Sequence, residues 1–256
     1  MPNWSNNAVA VKGKKENVLN FINEGLKNSN MEPQKDIEKA FDLLLANAKT
    51  KTSEFGWGEN RKGEREDNPA EIVYSNGLTM GTFRPVPDTF LKWDTTNDHD
   101  NKLSKIKEQQ KKTYGAVGWY DYQSQIHYGC KWNATLDGME LVVEGDVATV
   151  KFTCDTAWHY PEEWLRWIKQ TFKVAVLIAA HEESNAYNFY GEIDYKEADY
   201  GDFSEKEGEP QEDDFDNDDD YWDALSEWQS ECEEEMFNEF WDYVSDFDVA
   251  DLDFDE

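Results

Sequence analysis

The chain has 256 residues, with 56 Asp and Glu against 25 Lys and Arg and a formal net charge of -31. Such a charge repels nucleic acid and anionic membranes and attracts the basic faces of other proteins. Its hydrophobic fraction is only 38%, but 11 Trp, 12 Tyr and 14 Phe each bury a large area and supply a core. Cys130, Cys154 and Cys232 form no C-x-x-C pair, which argues against a disulfide scaffold and suits a reducing compartment. The chain opens on Met1-Pro2-Asn3-Trp4-Ser5 with no apolar signal core. Its longest apolar run, Val174 to Ala180, is far short of the roughly 20 residues of a membrane helix. The expected location is the cytoplasm.

In chain order, Asn7 to Lys12 alternates and stops at Gly13, as a first strand would. Glu16 to Leu26 places Val18, Leu19, Ile22 and Leu26 at helical spacing, and Gln34 to Ala48 does the same with Ile37, Phe41, Leu44 and Leu45. Thr50 to Asn68 reads as a polar loop. Gly77 to Phe83 reads as a strand ended by Pro85 and Pro87. Lys102 to Lys112 is a basic helix, suited to steering an acidic partner or cradling acidic sequence. Met139–Val143 and Val147–Thr153 flank Glu144-Gly145-Asp146, a hairpin. Pro161 to Thr171 opens with Pro and two Glu, a helix start. Val174–Ala180 and Phe189–Tyr195 close the body as strands. Helices and hairpins in this mixture predict an α+β fold with an antiparallel sheet.

The charge is unevenly placed. Beyond Gly201 the chain holds 25 of its acids and one base, Lys206. The body over 1–201 is therefore only mildly acidic. Residues 202–220, with Gly208, Pro210 and the run from Asp213 to Asp220, read as an acidic linker. Residues 221–256 read as an acidic amphipathic helix and tail. From Tyr221 to Asp246 the apolar stripe is Leu225, Trp228, Cys232, Met236, Phe240 and Val244, widened by Phe237 and Trp241. The stripe suits either docking on the body or a partner. Around it stand Asp223, Glu227, Glu231, Glu233, Glu234, Glu235, Glu239, Asp242 and Asp246.

Several blocks of the body share an order with a known family. Met1-Pro2-Asn3-Trp4 with Asn6, Phe83-Arg84-Pro85-Val86-Pro87, and Trp119-Tyr120-Asp121-Tyr122 come first. Tyr128-Gly129-Cys130-Lys131-Trp132-Asn133, Phe152 with Thr156-Ala157-Trp158 and Pro161, and Glu182 with Phe189-Tyr190-Gly191 follow. This series resembles the YubB-type family of phage and plasmid proteins. The resemblance covers residues 1 to about 195, apart from a spacer from Lys49 to Asn76, and does not reach the acidic end. Ser5 stands where the family has Cys. The resemblance implies a ferredoxin-like sandwich and a mobile-element origin, and it implies no reaction.

The candidate chemistry is sparse. His127, Cys130, Cys154 and His159 are zinc-type ligands at loose spacing. The acidic run offers Asp216, Asp218, Asp220 and Glu227 in calcium-loop register, but Tyr221 occupies the position that needs Gly. Glu162-Glu163 and Glu182-Glu183 are better explained as helix-start and surface acids than as catalytic pairs. No catalytic residue, cofactor or metal is expected, and the expected activity is binding. The expected partner is a host protein with a basic, nucleic-acid-binding surface, met by Asp223, Glu227, Glu231, Glu234, Glu235, Glu239 and Asp242. That would make the protein a nucleic-acid mimic acting on a defence nuclease. The alternative is an aromatic interaction module, with the acidic arm solubilising or docked on the body. Its candidate residues are Trp119, Tyr120, Trp132 and Trp158, together with Trp228 and Trp241 of the arm. Lys131 between Trp132 and Tyr128 is the most convincing polar cluster.

Overall fold

The computed structural model describes residues 3–50, 77–93, 95, 102–184, 186–201, 203, 208–215 and 217–249. The order begins β1 (Trp4–Lys14), α1 (Lys15–Asn28), α2 (Ile37–Thr50), β2 (Leu78–Thr79) and α3 (Met80–Phe83). It continues with α4 (Asp88–Lys92), α5 (Ser104–Tyr114) and α6 (Trp119–Tyr122), which runs into a π-turn at Gln123–His127. Then come β3 (Thr135–Glu144), β4 (Val147–Ala157), α7 (Glu162–Phe172), β5 (Ala175–Glu182), β6 (Asn188–Glu192) and β7 (Tyr195–Asp199). A 3-10 turn at Glu212–Asp214 precedes α8 (Asp218–Asp246).

The strands form one antiparallel sheet in the order β2-β3-β4-β1-β5-β6-β7. The inner four strands with α1 and α7 make a βαββαβ unit, so the fold is an α+β, ferredoxin-like sandwich. Residues 29–134, which include α2 to α6, are inserted between α1 and β3. β6 and β7 widen the sheet as a meander.

Strand parity divides the core. Val9, Val11, Val176 and Ile178 face Val18, Phe21 and Ile22 of α1 and Trp164, Leu165 and Ile168 of α7. Ala8, Ala10, Ala175, Leu177 and Ala179 face the other way and are covered by Cys232, Met236, Phe240 and Val244 of α8. The alanines let the helix approach closely. A strand covered on both faces carries a continuous apolar run, which is what Val174 to Ala180 is.

Four expectations change. Gly77–Phe83 is strand only at Leu78–Thr79, because the Thr79 N–H donates to Thr82 Oγ1 at 3.1 Å and a helical turn starts there. Phe189–Tyr195 is broken at Ile193–Asp194, where Arg166 and Lys169 hold the Asp194 carboxylate at 3.0 and 2.8 Å. The expected linker contains a fully buried residue, Phe203, stacked on His181. α8 begins at Asp218 because Asn217 Oδ1 accepts from the Asp220 N–H at 3.0 Å, and three Asp in the first turn suit the helix dipole. The polar loop expected after Thr50 lies outside the described residues.

Candidate functional site

α8 is mounted along β1. Alternate β1 residues face it: Asn6 Nδ2 donates to Glu233 Oε1 at 2.9 Å, Ala8 and Ala10 touch the stripe, and Lys12 Nζ donates to Val244 O at 2.8 Å. The Lys12 ammonium meets the carbonyl end of the helix, where a positive charge is favoured. Its burial nevertheless lowers its pKa, against the pull of Glu144 and Asp248. Further clamps are His181 Nε2 with Glu233 Oε2 at 3.7 Å, the Tyr200 hydroxyl donating to Glu239, and Lys151 over the Trp241 ring at 5.2 Å. The sheet itself seats the acidic helix, in place of the cradle expected from the basic stretch over α5.

Docking by the stripe points the remaining acids outward. Asp223, Glu227, Glu231, Glu234, Glu235 and Asp242 are exposed, and α8 contains no Lys or Arg. Glu239 is the exception among the expected binding acids. It is half-buried and bonded to Tyr200. Trp228 and Trp241 are also half-buried against the sheet-side cluster and do not form a free aromatic surface. The outward acids from Asp223 to Asp242 span about 28 Å of helix axis. They fall about one per 5 Å, against one per ~3.4 Å along a nucleic-acid strand.

A second feature occupies the end of the sheet where β1 starts and β4 finishes. Lys131 Nζ lies 4.4 Å from the centre of the Trp132 ring and 4.0 Å from that of Trp158. The second wall is therefore Trp158 rather than Tyr128, which is buried with its hydroxyl donating to Arg84 O at 3.2 Å. Tyr120 meets Trp158 edge-on at 6.2 Å, Trp119 meets Tyr120 at 6.0 Å, and Trp4 lies 5.9 Å from Trp132. The four expected body aromatics thus come together, and Trp4 joins them. Nothing but its place in the opening block marked Trp4.

Trp158 combines 49% exposure with a left-handed backbone, φ 71°. Its N–H is tied to Asn3 O at 2.8 Å. An open cleft of about 350 Å³ beside it is lined by Ser124, Lys131, Trp158, His159, Glu162 and Glu163 among others. Gly129 shapes its floor. With φ 83°, it comes so near the start of α7 that a Cβ would stand 2.8 Å from the Glu163 nitrogen.

The zinc-type residues do not converge. Among the described residues no group of three or more His, Cys, Asp or Glu could hold a metal ion. His127 Nε2 donates to Arg84 O at 2.8 Å, and His159 Nδ1 lies 2.9 Å from Tyr160 O. Cys130 and Cys154 are buried, and burial pushes both thiols up. The first position of the calcium register, Asp216, lies outside the described residues. Glu162 and Glu163 pair with Arg166 at 2.6 and 3.3 Å. Glu182 accepts from the Ser184 and Ala186 N–H groups at 3.0 and 3.1 Å and so fixes its own turn. Among the described residues no helix is long and apolar enough to cross a membrane.

No curated protein matches the chain. The crystal structure of a protein Api92 from Yersinia pseudotuberculosis is similar over 79% of this chain and 96% of its own, at 11% identity and a TM-score of 0.34. Residues 125–225, from the π-turn through β3–β7 to the start of α8, match the family described as the ferredoxin-like domain in Api92-like protein.

Proposed function

We propose that this is a non-enzymatic binding protein that sets the acidic outer face of α8 against a basic, nucleic-acid-binding surface of a host protein. In this reading it acts in the cytoplasm as a nucleic-acid-mimicking inhibitor of a defence nuclease complex. The observation that carries the proposal is the way α8 is held. Its apolar stripe is buried on the sheet, so Asp223, Glu227, Glu231, Glu234, Glu235 and Asp242 form a row on a rigid support without an intervening cation. Pre-ordered charge loses little entropy on binding. The resemblance of the body to the YubB-type family supports a phage or plasmid origin, where such an inhibitor would be used.

Deleting α8 would uncover Leu177 and the alanines of the sheet, so neutralisation in place is the cleaner test. Changing these six acids to Asn or Gln leaves every stripe residue and the Glu233 and Glu239 clamps intact. The expected result is loss of inhibition of the target nuclease at unchanged fold. Full inhibition by the neutralised protein would overturn the proposal. Binding should also weaken steeply from 0.1 to 1 M salt, as the Debye length falls from about 10 to ~3 Å.

A second reading rests on the exposed rings at the other site, Trp4 at 41% and Trp158 at 49%. Large exposed aromatics are frequent binding anchors. In that case Trp158→Ala abolishes partner binding, the six-acid variant retains it, and salt has little effect.

A further inference from the structure

We propose that the slot between Trp132 and Trp158 is a cage for the guanidinium of an arginine on a protein partner, with Lys131 as its resident placeholder. The Lys131 ammonium lies over both rings, 4.4 Å from one centre and 4.0 Å from the other. Both distances are within the ~6 Å over which an aromatic face attracts a cation. Among the described residues, Lys131 has no carboxylate within ion-pair distance. The rings thus hold its charge without the usual partner.

Trp158 gives a reason to regard the slot as more than packing. A non-glycine residue in the left-handed region is strained, and such outliers gather at functional sites. Here the strained residue is half exposed, so core burial does not repay the strain. What the strained backbone does is place an indole over a cation.

Charge selects the class of occupant. Glu162 and Glu163 line the adjoining cleft and share the one Arg166 guanidinium, so two carboxylates stand against one cation there, and the whole chain carries a net charge of -31; an anion approaching Lys131 meets repulsion. A cation is drawn in. Arginine suits the slot better than lysine because its guanidinium is planar, weakly hydrated, stacks on rings and can reach a carboxylate with a second edge. Exchange keeps one cation between the rings and releases Lys131 to solvent on its flexible stem. The cage does not depend on the outer face of α8, and neutralising that face leaves it whole.

Nα-acetyl-arginine amide is the probe. It is titrated into the full chain while the indole N–H resonances of Trp132 and Trp158, assigned from Trp132→Phe and Trp158→Phe, are followed by NMR. In the wild type these two signals should move together, while that of Trp222 on α8 stays still. Lys131→Ala empties the slot and should tighten probe binding about tenfold, within the range of a desolvated cation–π contact. Adding Trp158→Ala to that variant should abolish the gain. Nα-acetyl-glutamate amide should move neither signal. The proposal fails if the two indoles stay still in the wild type at saturating probe, if Lys131→Ala binds no more tightly, or if the glutamate probe binds better. Lys131→Gln serves in place of Lys131→Ala should the smaller residue unfold the loop.

Discussion

His127 shows how one side chain can be set by its surroundings against its ordinary chemistry. It is stacked on Tyr122 and tilted against Tyr128, and its Nε2–H donates to Arg84 O. Burial first, and then the nearby Arg84 charge, lower its pKa to about 4. The folded protein therefore keeps the ring neutral where the unfolded chain would protonate it, near 6.5. Between pH 6.5 and 4 the unfolded state binds more protons, so this stabilisation is complete above about 6.5 and is lost as the pH falls to 4. The change is about 3 kcal/mol. His127→Gln should remove that part of the pH dependence; urea melts of both proteins at pH 7 and pH 4 would reveal it, and parallel curves would contradict it. By residue type alone His127 is a zinc-type ligand, at a spacing too loose to predict a site. Tyr122 stands one helical turn before it, but Arg84, which takes its Nε2–H and disfavours its charge, arrives from another segment of the chain.

Among the elements, α8 is the one whose meaning changed most. Its 3–4 spacing was legible, and with it the buried positions Cys232, Met236, Phe240 and Val244. Its seat was not legible, because a stripe has no address. The match depends on strand parity that places Ala8, Ala10, Ala175 and Ala179 on one face. Phe240→Ala should cost about 3–5 kcal/mol, as for a large ring removed from a closed core. Trp222→Ala, on the exposed start of the same helix, should stay within about 0.5 kcal/mol. Denaturant midpoints of the two variants test the contrast, and equal effects would mean that α8 is not held by its stripe. The expected strand at Gly77–Phe83 failed for a local reason. Its apolar residues suit either state, and the Thr79–Thr82 bond tips the choice.

On the scale of the whole molecule, the net negative charge is concentrated beyond Gly201, on one helix and the residues that flank it. The outward row of α8 is self-repelling, and its cations are on the sheet beneath, at Lys12 and Lys151. Salt should therefore stabilise this protein. Raising NaCl from 20 to 500 mM should lift Tm by ~2–4 °C for each kcal/mol of repulsion screened. A Tm that falls with salt would mean that the clamps outweigh the repulsion. The six-acid variant should start with the higher Tm and respond less.

The sequence by itself determined the α+β class, the extents of most helices and the hairpin, the amphipathic stripe and the concentration of acid beyond Gly201. These are local or additive properties, set by spacing and count. Only the tertiary structure decided that the acidic helix lies on the second face of the sheet, that Glu239 turns inward while its neighbours face out, and that Trp158 rather than Tyr128 closes over Lys131. Each of these depends on partners distant in the chain, brought together by the pairing of β1 with β4 and β5, and spacing along one segment cannot encode which surface another segment will offer.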